Sequence, residues 1–183
     1  MERLGFGQKT ELLPPGSGET AGYFPGLDCW VPSTSYYMPI GQGFSVTPIQ
    51  LLRAGASLAN GGKLVQPAIA RQILNRDGQI LHTAEPAFLE NPSAPTCNKQ
   101  VVRMMEGVVD GGAGVGARVP GLRVAGKTGT GEKSSARGYL DKYVASFLGF
   151  FPADRPRYAG LILFDEARDG SGGSIAAPVF GRT

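Results

Sequence analysis

Five consecutive residues, Gly126-Lys127-Thr128-Gly129-Thr130, combine one ammonium, two hydroxyls and two glycines. Two chemistries use those residue types. In the first, Gly121, four residues and then Gly126-Lys127-Thr128 match G-x-x-x-x-G-K-[ST], the loop whose backbone amides cradle phosphates. The run Leu161-Ile162-Leu163-Phe164 followed by Asp165-Glu166 imitates the acid that would hold Mg²⁺ there. Such a loop needs an apolar strand before its first glycine and a helix opening at the Lys-Thr pair. Ala117-Arg118-Val119-Pro120 is a poor strand, and Gly129-Thr130-Gly131 are poor helix formers. In the second chemistry the same residues lie on an edge strand. Gly129 leaves room for an extended peptide beside the strand, and strand addition supplies main-chain hydrogen bonds. A cation and hydroxyls there can hold a carboxylate. Alternation puts Lys127 and Thr128 on opposite faces unless twist or the edge position brings both to one groove. The flanking residues favour the strand.

The elements that must position this segment are short and turn-rich, as 28 glycines and 14 prolines dictate. Residues 1–46 read mostly as loop, with turn chemistry at Pro14-Pro15-Gly16-Ser17-Gly18 and Phe24-Pro25-Gly26. A helix is expected from about Pro48 to Asn60. Thr47 suits its N-cap, Pro48 its first position, and Gly61-Gly62 its end. Ile49, Leu52, Ala56 and Ala59 form its apolar stripe. Val65 to Leu74 and Ile80-Leu81 read as a hairpin around Asn75-Arg76-Asp77-Gly78. A second helix is expected over about Lys99 to Val109, with Val101, Met104, Met105 and Val108 inward, before Gly111-Gly112. Strands follow at Leu122–Thr130, Tyr143–Phe151 and Tyr158–Phe164, paired antiparallel through short links. Ser134-Ser135 and His82 read as loop residues, and Ser174 to Phe180 as the start of a helix.

Composition narrows the function classes. With 183 residues, 42% of them hydrophobic, the chain can build one core. A net charge of +3 with scattered Lys and Arg gives no stripe for nucleic acid. Cys29 and Cys97 have no metal-ligand spacing, and two unpaired thiols is the simpler reading, with one disulfide as the alternative. No metal site is suggested. No run approaches the roughly 18 apolar residues a membrane span needs.

Several blocks, in order, resemble the class B penicillin-binding proteins. They are Gly41-Gln42-Gly43-Phe44-Ser45-Val46-Thr47-Pro48-Ile49-Gln50 and Leu58-Ala59-Asn60-Gly61-Gly62. Val119 to Ala125 then lead into Gly126-Lys127-Thr128-Gly129-Thr130, which resembles the family's K-T-G box. Tyr143 to Phe150, Pro152-Ala153-Asp154, and Gly172-Gly173 with Ala176 to Phe180 complete the likeness. The glycine turn resembles elongation enzymes, while the strand block Val144 to Pro152 is closer to division enzymes.

The resemblance implies an α+β domain of the penicillin-binding/β-lactamase-like fold, an antiparallel sheet flanked by helices and here incomplete. It implies a D,D-transpeptidase that cross-links peptidoglycan stem peptides and is acylated by β-lactams, with no cofactor. Carried over by position, Lys127 joins the proton-transfer and electrostatic network. Thr128, Gly129 and Thr130 hold the substrate, and the Thr130 backbone N–H is one oxyanion donor. The family's nucleophile is the serine of S-x-x-K. No serine here is followed three positions later by lysine, and no Ser-x-Asn occurs. Leu4-Gly5-Phe6-Gly7 resembles the stretch just after the family's Ser-x-Asn box. The expectation is therefore that residues 1–183 are a partial transpeptidase domain, lacking its N-terminal half and the end of its final helix. Such a piece would be inactive alone, marginally stable, bare on one sheet face, and open to a complementing N-terminal half. The parent would be anchored in the inner membrane with this domain outside the cytoplasm. A non-catalytic module binding peptidoglycan or a partner is the alternative from another class, and a nucleotide hydrolase is a remote third.

Overall fold

The computed structural model describes residues 2–12, 16–89, 95–135, 138–167 and 170–183. Its helices are α1 (Thr34–Tyr37), α2 (Pro48–Ala59), α3 (Pro95–Asp110) and α4 (Ala177–Phe180). Its strands are β1 (Leu64–Val65), β2 (Gln72–Leu74), β3 (Ile80–Thr83), β4 (Phe88–Leu89), β5 (Ala125–Ser135), β6 (Gly138–Phe151) and β7 (Tyr158–Ala167). The main sheet runs β5-β6-β7, antiparallel throughout, and β1-β4 and β2-β3 form two small pairs. The mixed fold of antiparallel sheet and flanking helices expected from the sequence is the one observed.

Helix α2 begins where its local chemistry dictates. Thr47 accepts from the Gln50 N–H, and the Gln50 side chain accepts in turn from the Thr47 N–H, a reciprocal cap. Gly62 N–H closes the far end on the Ser57 carbonyl at 2.6 Å, with Gly61 and Gly62 at positive φ. Its buried face differs from the expected stripe. Ile49, Leu52, Ala56 and Ala59 are half-buried, whereas Gln50, Arg53, Ala54 and Ser57 are buried. The reason is the irregular N-terminal chain, whose backbone polar groups lack ladder partners and must be satisfied by side chains. Gln50 Nε2 donates to the carbonyls of Gln8 at 2.6 Å and Ala21 at 2.8 Å. Gln66 donates to the Thr10 carbonyl at 2.6 Å, and the Thr10 N–H and hydroxyl both donate to Glu19. The Thr10 hydroxyl is the main cause holding the Glu19 carboxyl below its ordinary value. Burial pushes the Arg53 guanidinium below its own, opposed by Glu11 and Glu19.

Other expectations shift by register. Helix α3 starts at Pro95, earlier than expected, and buries Met105 and Val109, while Met104 is 70% exposed and Val101 sits at the surface. The rotation comes from β5 and the residue that leads into it, because the Met105 cluster meets Ala125 and the Val109 cluster meets Val124. The hairpin around Asn75 is β2-β3, its turn held by Asn75 Oδ1 accepting from the Asp77 and Gln79 N–H groups. The preceding apolar residues Leu64 and Val65 do not join it. They pair with β4 instead. His82 lies within β3, and Ser134 and Ser135 end β5, where loops were expected. Strand β5 begins at Ala125 rather than Leu122, which bridges to Val119 across a turn.

The sheet carries helices on both faces. A Cβ on Gly55 of α2 would press on the Leu148 side chain, and one on Gly149 would press on Phe180 of α4. Leu148 and Gly149 are consecutive and so face opposite ways. The expected bare face is therefore only partly bare. On β7 Tyr158, Leu163 and Phe164 are exposed, Leu163 on the face opposite the other two.

Candidate active site

Lys127, Thr128, Gly129 and Thr130 lie in the middle of β5, an edge strand whose sheet neighbour is β6. They do not open a helix, so the phosphate-loop geometry is not met. The register sets Lys127 opposite Leu148, Thr128 opposite Phe147, Gly129 opposite Ser146 and Thr130 opposite Ala145. Lys127 is exposed, and its Nζ donates to the Thr128 carbonyl at 2.7 Å. That leaves two ammonium protons for a ligand. Thr128 and Thr130 stand on the face opposite Lys127, as alternation requires. The lysine reaches back to the edge by folding over the backbone. The Thr130 hydroxyl accepts from the Gly172 N–H at 3.1 Å. A side chain on Gly129 would meet Ser146 Oγ at 2.6 Å, so a small residue is needed there. An ammonium, two hydroxyls and a strand edge can together hold an anionic, extended ligand.

Three features at this site were not expected from the spacing. Gly172 and Gly173 pack over the backbone of Gly129 and against Ala113, from a sequence distance that no local pattern reveals. Ser146 lies beneath Gly129. Past the site, a charged band crosses the sheet. Lys133 of β5 bonds Asp165 at 2.9 Å and Glu166 at 3.2 Å on β7, and Lys142 of β6 bonds Glu166 at 2.7 Å. The pairing shifts register in both ladders at this level, and Glu166 has a φ of +55°.

Bonds from Lys142 and then Lys133 hold the Glu166 carboxyl below its ordinary 4.5, and Asp165 and then Glu166 hold the Lys133 ammonium above its ordinary 10.5. The carboxylate's contribution is complete above pH 4.5 and is lost as pH falls below it. The ammonium's contribution is complete below pH 10.5 and is lost as pH rises above it. Between those limits the band should be indifferent to pH and sensitive to salt. NMR titration of Glu166 is expected to give a midpoint below 4.5 that climbs toward it in high salt. A midpoint at or above 4.5 in low salt would show the band open in solution.

Cys29 and Cys97 are free and exposed. Among the described residues no His/Cys/Asp/Glu cluster could hold a metal ion, and no helix is long and apolar enough to cross a membrane. A concavity of about 1,090 Å³ lined by Lys9, Glu11, Glu19, Ile69, Ile73 and His82 includes none of Lys127 to Thr130. It is apart from the K-T-G edge.

This sheet, its K-T-G edge and its flanking helices have close counterparts. The penicillin-binding protein transpeptidase domain model matches residues 1–183. The chain belongs to that family. It is 36% identical to the penicillin-binding protein PbpB of Mycolicibacterium smegmatis, over 98% of this chain and 29% of that protein. It is 34% identical to the peptidoglycan D,D-transpeptidase FtsI of Escherichia coli K12, again over 98% of this chain and 29% of the relative. The crystal structure of penicillin-binding protein 3 from Mycobacterium tuberculosis superimposes with a TM-score of 0.87 at 34% identity, covering 99% of this chain and 43% of that one. The same protein complexed with ampicillin superimposes with a TM-score of 0.86. The chain thus spans about three-tenths of the length of these curated relatives.

Proposed function

We propose that this chain supplies the K-T-G side of a peptidoglycan D,D-transpeptidase domain, working in cell-wall synthesis on the division side. The observation that carries the reading is Lys127-Thr128-Gly129-Thr130 on an edge strand, in a chain whose fold overlays penicillin-binding proteins. A stem peptide or a β-lactam lies along β5. Lys127 contributes to proton transfer and electrostatics, Thr128 and Thr130 bind the ligand carboxylate, and the Thr130 N–H stabilises the developing oxyanion. The attacking serine belongs to another portion of the domain, because nucleophile and base act as a unit and no S-x-x-K occurs here. That portion, a complementing N-terminal half, meets this one along β7, which lies at the edge of the described sheet and exposes Tyr158, Leu163 and Phe164. The parent is anchored in the inner membrane, with the domain outside the cytoplasm.

Labelled penicillin tests this directly. The chain alone is expected to remain unlabelled. Mixed with an S-x-x-K-bearing N-terminal half from a relative, it is expected to promote labelling of that half's serine. Covalent labelling of the chain alone would overturn the division of roles, and an unlabelled mixture would overturn the complementation.

A further inference from the structure

The Thr130 hydroxyl sits beneath an uncommon turn. Residues Gly172–Ala176 form a single π-helical turn that runs directly into α4. Ser171 and Ser174 cap it reciprocally, the Ser171 N–H donating to Ser174 Oγ at 2.7 Å and the Ser174 N–H to Ser171 Oγ at 3.4 Å. Such turns are rare and concentrate at functional sites. This one rests on the strand pair that carries the candidate site.

Its seat depends on two missing side chains. A Cβ on Gly172 would collide with the carbonyl oxygens of Ser146 and Gly129 and lie 3.0 Å from Gly129 N. One on Gly173 would collide with the Ala113 carbonyl. Neither glycine has a positive φ. The requirement is therefore for space, not for a left-handed backbone. Because the turn can descend this far, Gly172 N–H reaches Thr130 Oγ1 at 3.1 Å across 42 residues of sequence.

The chemistry follows from what a hydroxyl can do. It has one proton to give and two lone pairs to accept with. The Gly172 N–H occupies one lone pair. Thr130 Oγ1 donates to no acceptor among the described residues, so its proton is unspent. An amide donor on one side also excludes the hydroxyl proton from that side.

We propose that Gly172 is a positioning residue: its main-chain N–H turns the Thr130 hydroxyl proton outward, fixing Thr130 as a donor to a ligand carboxylate on β5. The inference rests on the reading given under Proposed function, but its first readout is independent of any ligand. Without the turn the hydroxyl could rotate and present a lone pair, which repels a carboxylate.

The test uses the whole ¹⁵N-labelled chain and two variants, Thr130→Val and Thr130→Ser. Hydrogen exchange at the Gly172 amide is expected to accelerate about two- to tenfold in T130V, the effect of losing one hydrogen bond, and to stay slow in T130S. Acetate serves as the carboxylate probe. It is expected to shift the Thr130 and Gly172 amide resonances in the unmodified chain and in T130S, but not in T130V. Gly172→Ala should weaken the acetate response. If G172A does not fold, the Val and Ser variants still decide.

A Gly172 amide as protected in T130V as in the parent would overturn the inference. So would an acetate response that survives T130V. An amide freed by T130V with no acetate response in the unmodified chain would instead overturn the carboxylate role under Proposed function and leave the orienting bond standing.

Discussion

Truncating Phe147 to alanine is expected to destabilise the chain by about 3–5 kcal/mol. The side chain is fully buried in the cluster formed with Val109, Ala117, Val124, Ala176, Ala177 and Phe180. Its ring lies 5.0 Å from that of Phe180, centroid to centroid. Gly126 and Gly149 are bare beside it, since a Cβ on either would strike the ring. Glycine backbone cannot collapse into the space the ring leaves, so the cavity should persist and add its own cost. The loss would be a large share of the roughly 5–15 kcal/mol by which domains are stable. It would also loosen α4 and the turn before it, which rest on the same cluster as Thr128's cross-strand partner. Urea unfolding followed by circular dichroism measures it, with Phe147→Leu as a control expected to cost less. A loss under about 1 kcal/mol, a surface-like value, would mean that this cluster does not hold the sheet to its helices.

Replacing Lys127 by alanine should leave the fold alone and remove the chemistry. In the chain complemented by an S-x-x-K-bearing half, penicillin acylation is expected to slow about a hundred- to ten-thousandfold, the span for a positioned proton-transfer group. Lys127 is exposed, and its one hydrogen bond among the described residues is to the carbonyl of its neighbour Thr128. Unfolding free energy should therefore change by no more than about 0.5 kcal/mol. Lys127→Arg should not restore the rate, because a planar guanidinium does not replace a compact ammonium that can give up its proton. Quench-flow acylation and urea unfolding on the same preparations separate the two effects. An unchanged acylation rate would remove Lys127 from the proposed network.

Features whose causes lie within a turn or two were legible in the amino-acid sequence. Thr47-Pro48 before α2 and Gly61-Gly62 after it are local instructions, and the helix obeys both. Gly129-Thr130-Gly131 refuse a helix, which placed Lys127 on a strand and set aside a letter-perfect phosphate loop. The Asn75 turn closed its hairpin for the same local reason. Tertiary structure decided what depends on a distant partner. Gln50 is buried because the carbonyls of Gln8 and Ala21 come to it, and nothing in helical spacing foretells them. On α3 Met105 is buried as expected, but Met104 and Val101 are exposed and Val109 is buried instead, because the phase of the helix is set by the sheet it packs against. Leu64 and Val65 took β4 as partner over the nearer hairpin. Gly172 met Thr130, and Lys133 met Asp165 and Glu166, only once three strands had aligned. Backbone propensity acts over one turn of chain, whereas packing space and charge pairing act between surfaces that the folded sheet brings together.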